Sequence, residues 1–123
     1  MPNAIAAALK ERTMHFALRV MRFCKTLAET WEARVVADQL FRAGARTGAN
    51  YRSTCRARSR KDFVNKMGTV VEESDESLFW LEFVGRSGMN ETAEQKELLR
   101  EAAELLAIFT SSAKTASENL NHQ

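Results

Sequence analysis

Between Arg52 and Lys61 the chain places Arg52, Arg56, Arg58, Arg60 and Lys61 and no acid, the densest run of one charge in the sequence. Guanidinium forks bind phosphate oxygens bidentately, and lysine adds a mobile point charge. The run passes from the end of one helical pattern into Ser59-Arg60-Lys61-Asp62, which reads as a capping box. A helix that starts there contributes amide donors suited to an anion. Tyr51 stands beside Arg52 and offers a ring on which an unpaired base could stack, as in single-stranded RNA recognition. Together with Arg46, these five cations form the candidate nucleic-acid-binding set: Arg46, Arg52, Arg56, Arg58, Arg60 and Lys61.

The set belongs to a wider asymmetry. The formal net charge is only +2, yet from Arg34 to Lys66 nine cations face two acids, a net +7. From Glu72 to Glu104 ten acids face three cations, a net −7. Phosphate binding is one reading of the basic segment. The other is pairing: arginines late in the second helix offset its dipole and meet Glu72, Glu73, Asp75 and Glu76 of the same or another subunit.

Other chemistries lack their residues. The two histidines, His15 and His122, are far apart, and no Glu-x-x-His pair exists, so a di-iron carboxylate bundle is not expected. Glu72, Glu73 and Glu76 would need ligands from other helices to hold a metal. There is no phosphate-binding loop, dinucleotide fingerprint, nucleophile elbow or zinc spacing. The expectation is a protein that is not an enzyme and needs no cofactor.

The elements that position these residues are helical. One proline and five glycines in 123 residues suit long helices joined by short loops, not many tight β-turns. Apolar periodicity predicts helices over about 9–29, 31–56, 60–84 and 93–117. On the first, Met14, Leu18, Met21, Cys24 and Leu27 form the expected inward stripe, widened by Phe16, Val20 and Phe23, and residues 1–8 either extend that helix or fray. Thr30 is placed to cap the second helix, whose inward stripe reads Val36, Leu40, Ala43, Thr47, Asn50 and Thr54. Its Gly44 and Gly48 each cost about 1 kcal/mol of helix propensity relative to alanine, which points to a close helix approach within the bundle. The third helix presents Phe63, Met67, Val70, Ser74, Leu78 and Leu81. Thr92 with Gln95 reads as a second capping box before a fourth helix with Leu98, Leu99, Ala102, Leu105, Leu106, Phe109 and Ala113 inward. The tail after Ser117 is expected to fray. The fold expected is all-α, a single domain over 1–123 built as an antiparallel up-down-up-down four-helix bundle.

Composition agrees with a soluble bundle: 45% apolar and 28% charged residues are ordinary globular values. Cys24 and Cys55 are distant in sequence and read as small core residues in a reducing cytoplasm, not as a disulfide. No apolar run is long enough for a membrane span, and the Ala-rich start lacks the basic region of a signal peptide.

The segments Gln39-Leu-Phe-Arg-Ala-Gly-Ala-Arg-Thr-Gly-Ala-Asn-Tyr-Arg52, Ala57-Arg-Ser-Arg-Lys-Asp-Phe63, Glu72-Glu-Ser-Asp-Glu76 and Phe79-Trp-Leu-Glu82 occur in order. Their order and spacing resemble the bacterial four-helix bundle family first noticed as reading frames inside intervening sequences of 23S ribosomal RNA genes. The resemblance implies homo-oligomers, typically pentameric rings. It also implies kinship with the accessory protein of diversity-generating retroelements, which works with a reverse transcriptase and binds nucleic acid through a basic surface. By position, the family's arginine falls on Arg42, its small hydroxyl residue on Thr47, its asparagine on Asn50, its helix-three cap on Ser59 and its acids on Glu73 and Glu76. Many relatives carry an acid soon after the Asn-Tyr-Arg run, where this chain has Ser53. That departure makes the edge more basic, and the Gly-Ala-rich face beside it gains a second explanation as a subunit contact.

The expectation from sequence is therefore a homo-oligomeric bundle that binds nucleic acid, RNA before DNA, through its basic edge, and the resemblance adds a role as accessory to a reverse transcriptase or another nucleic-acid enzyme. The alternative is an interaction scaffold whose basic and acidic helices pair between subunits.

Overall fold

The computed structural model describes residues 2–121, with side chains from Ala4 onward; His122 lies outside them. Four helices follow one another: α1 Pro2–Cys24, α2 Trp31–Thr54, α3 Arg60–Arg86 and α4 Ala93–Asn121. Each packs against its neighbour in chain order and α4 returns to α1, while the diagonal pairs have no backbone-level contact among the described residues. This is the connectivity of an up-down-up-down four-helix bundle.

The helix starts follow local chemistry. The Thr30 hydroxyl accepts the Ala33 amide at 3.3 Å and the Ser59 hydroxyl accepts the Asp62 amide at 3.0 Å. Asp62 does not complete the reciprocal box on Ser59; its carboxylate accepts the Arg58 amide at 3.0 Å, one residue earlier. The Thr92 hydroxyl accepts the Gln95 amide at 3.3 Å, but Gln95 turns inward and donates to the Leu81 carbonyl at 2.9 Å. A buried amide has stronger demand for a partner than an exposed cap has, so the core claims that side chain. Helix ends depart further from expectation. α1 takes in residues 2–8 and stops at Cys24, where the Thr26 amide and hydroxyl both reach the Phe23 carbonyl. α4 runs on to Asn121 instead of fraying after Ser117.

The core is built from Phe16, Val20, Phe23, Leu40, Val70, Leu81, Leu98, Leu105 and Phe109 among others. Small hydroxyl residues let helices approach and stay satisfied: Thr13, Thr47, Thr54, Ser74 and Ser77 each bond the carbonyl four residues back. On α1 the buried face is Thr13, Phe16, Val20 and Phe23, with Leu27 buried just past the helix end, so the widening residues of the expected stripe form its core and Met14 and Leu18 do not. Met14 is 45% exposed and Leu18 37%. One helix in a two-layer bundle buries a single stripe, and the aromatic one won it. Cys24 is half-buried, and burial pushes its thiol up to about 11.

Along α1–α4 the seam is narrow and ionic. Arg12 binds Glu101 bidentately, at 2.7 and 2.6 Å, and reaches Glu104 at 3.3 Å; Arg19 meets Glu94 at 2.9 Å. The bonds from Glu101 hold the Arg12 guanidinium still more firmly protonated. The acids of α4 thus turn toward α1, and Arg100 pairs with Glu97 on its own helix.

Candidate nucleic-acid interface

Displacing Met14, Leu18 and Met21 from the core gives them another place. They form one wall of an open groove of about 720 Å³ between α1 and α2. The facing wall comes from α2, where Phe41, Ala45, Gly48, Ala49 and Arg52 recur at helical spacing, with Arg56 just past its end. The two glycines set the separation. A Cβ on Gly48 would stand 3.3 Å from the Thr13 hydroxyl, and one on Gly44 would stand 3.3 Å from a Val20 methyl. This is tight packing within the bundle, as the spacing suggested, and it also leaves a floor of alanine and glycine between two apolar ridges.

The helices run antiparallel, so Lys10 lies level with the Arg52 end of α2, and Leu18 and Met21 lie level with Phe41. The groove is therefore polarised. At one end stand Lys10, Arg52, Arg56, Arg58 and, from the first turns of α3, Lys66. At the other stand Leu18, Met21 and Phe41. Among the described residues no acid lines any part of it, and Ser53 occupies the rim. Arg52 and Arg56 are exposed, and among the described residues neither forms an ion pair. Lys66 stands 3.6 Å from Asp62. The Arg58 amide bond, then the nearby Lys66 and Arg58 charges, hold the Asp62 carboxyl below the usual carboxylate range. Asp62 is thus fixed as an anion that orders the loop side of the groove.

Three of the six sequence candidates, Arg52, Arg56 and Arg58, meet in this groove. Arg46 lies one helical step away, where its charge acts on Glu73 of α3. Arg60 and Lys61 sit exposed on the first turn of α3, Arg60 beside Ser59 and Phe63. Lys10 and Lys66 escaped the sequence reading because only the fold brings residues this far apart into one charged end. The one signal available was that Lys10 continues the Met14–Leu18–Met21 spacing.

Tyr51 does not serve as a stacking platform. It is 6% exposed, with its ring on Phe109 at a centroid distance of 5.1 Å. One residue along a helix turns about 100°, so the neighbour of an exposed arginine faces the core. Burial, with a bond to Cys55, pushes the Tyr51 hydroxyl well up from its ordinary value. The exposed aromatic of this half is Phe41, at 41%.

Glu72, Glu73 and Glu76 lie on α3. Among the described residues no group of three His, Cys, Asp or Glu side chains could hold a metal ion. Nor is any helix among them long and apolar enough to cross a membrane. Glu73 is half-buried, and one of its oxygens is buried without a partner. Burial and the neighbouring Glu76 raise its carboxyl above the usual value, with Arg46 opposing.

The family model of the 23S rRNA-intervening sequence proteins matches residues 7–111, nearly the whole bundle. The chain belongs to that family. A protein of unknown function from the S23 ribosomal protein family of Bacteroides thetaiotaomicron has a similar crystal structure, with a TM-score of 0.78 and 28% identity. The match covers 85% of this chain and 97% of that one. No curated protein sequence matches. Within the family's pattern, Arg42 pairs with Asp38 at 3.0 Å, Thr47 is a buried hydroxyl bonded to Ala43, and Ser59 caps α3. Thr47 and Ser59 therefore do structural work, Arg42 makes an exposed pair on its own helix, and Ser53 lies on the groove.

Proposed function

We propose that this member of the family is a non-enzymatic, self-associating bundle that binds nucleic acid, RNA in the first instance, at the charged end of the α1–α2 groove. The observation that carries the reading is the convergence of Lys10, Arg52, Arg56, Arg58 and Lys66 on a surface lined by no acid among the described residues. Binding there exchanges condensed counterions for side-chain cations, so affinity falls steeply with salt. The resemblance to the retroelement accessory protein extends the proposal to a role beside a reverse transcriptase or another nucleic-acid enzyme. The test is a titration of an RNA panel at two salt concentrations. A salt-dependent affinity supports the reading, and no binding at low salt refutes it.

The scaffold reading draws on a different surface. Phe79 and Phe83 on α3 are exposed, their rings joined by Trp80, and Trp31 at the same end of the bundle is 72% exposed. A patch of this kind marks a protein contact, and Glu76 and Glu82 beside it complement the basic groove of another copy. If basic and acidic surfaces pair between subunits, reversing Arg52, Arg56 and Arg58 to glutamate dissociates the assembly. An unchanged mass by light scattering counts against that reading.

A further inference from the structure

The groove that carries the cations is also lined by exposed apolar side chains of α1 and α2: Met14, Leu18 and Phe41. From Phe41 to Arg52 the α2 wall rises through eleven residue steps, roughly 16 Å at about 1.5 Å per residue. Phosphate binding alone does not account for Met14, Leu18 and Phe41, which are exposed along the groove away from its charged end. Duplex RNA keeps its bases stacked inside and presents sugars and phosphates, so it would engage the charged end and leave the apolar length empty. A single strand carries both chemistries along its length, phosphates on one side and unstacked bases on the other.

We infer that the α1–α2 groove takes single-stranded nucleic acid, with phosphates on Arg52, Arg56, Arg58 and Lys10 and bases laid along the apolar floor against Phe41, Met14 and Leu18. The inference rests on the nucleic-acid reading and sharpens it. The floor of Ala45, Gly48 and Ala49 gives a flat base room to enter, and Phe41 stands at the far end as the stacking ring. Methionine side chains adapt to bases of different size. The groove has few groups to read base edges: the Thr13 hydroxyl is already bonded to the Leu9 and Lys10 carbonyls. Recognition is then tolerant of sequence and selective for unpaired bases.

The test is fluorescence anisotropy on the full chain with three probes of equal length, about 10 nucleotides. They are a mixed-sequence single-stranded RNA, its blunt duplex, and an abasic strand of the same backbone. The single strand is expected to bind about tenfold more tightly than the other two, since one stacked base is worth that order of affinity. Phe41→Ala is expected to erase that preference and Phe41→Trp to keep it, with the salt dependence unchanged in both. Equal binding of the three probes, lost on reversal of the groove arginines, would leave the nucleic-acid reading standing and overturn this inference. So would a preference that survives Phe41→Ala in a variant whose helical circular dichroism is native. No binding of any probe by the wild type overturns both.

Discussion

Gly48 of α2 lies against Thr13 of α1 so closely that a Cβ would stand 3.3 Å from the threonine hydroxyl. Thr13 is fully buried and its hydroxyl is held by its own helix, so it has little room to yield. This contact sets how near α1 comes to α2, and with it the depth of the groove. A leucine at Gly48 is expected to prise the helices apart and destabilise the bundle by about 1–3 kcal/mol. Gly68 is the contrast: a Cβ there meets nothing within 4 Å. Gly68→Ala is expected to stabilise by about 0.5–1 kcal/mol through helix propensity alone. Urea unfolding of both variants, read at 222 nm, checks the opposite signs.

Tyr51 and Phe41 are expected to separate stability from binding. Tyr51→Ala removes a buried ring from the Phe109 contact and should destabilise by about 3–5 kcal/mol. Tyr51→Phe keeps the ring and should leave RNA affinity unchanged, because the side chain is buried against Phe109 and does not line the groove. A loss of affinity in Tyr51→Phe would return that residue to the binding surface.

Both outcomes bear on what the chain made legible. Caps act over three residues, so Thr30, Ser59 and Thr92 could be read directly as helix starts. Five of the six cations were visible as a run, but a run along a helix spreads around it, and only Arg52, Arg56 and Arg58 share the groove. Lys10 and Lys66 join them through topology, which no local pattern encodes. The apolar stripe of α1 was legible but too wide, since Met14, Leu18 and Met21 fit the period as well as Phe16, Val20 and Phe23. Which set became core depended on the shape of α2, whose glycines admit Val20 and Thr13 and leave Met14 and Leu18 outside.

Glu73 gives a pH dependence with a definite sign. Its folded-state value is raised by burial and by Glu76, so the folded protein binds this proton more tightly than the unfolded chain does. Stability on this account is greatest below the unfolded value, near 4.5, and is lost as pH rises through the raised folded value. Glu73→Gln removes the ionisation. The variant is expected to gain stability over the wild type at pH 7, and the gap is expected to narrow toward pH 4 in thermal melts across that range. A gap that is constant with pH would show that Glu73 ionisation carries no folding cost.

The central claim is that position in the groove, not basic charge in general, governs nucleic-acid binding. Two triple variants carry the same change in charge: Arg52, Arg56 and Arg58 to glutamate in the groove, and Arg46, Arg60 and Lys61 to glutamate outside it. Their affinities for one single-stranded RNA, measured by anisotropy at low and moderate salt, compare the two directly. The groove variant should lose at least about a hundredfold in affinity, and its log–log salt slope should shrink by about 2 from the removal of three phosphate contacts. The outer variant should lose less than about tenfold through the general field alone. Equal losses in the two variants, with both still folded, would contradict the assignment of the site to the α1–α2 groove.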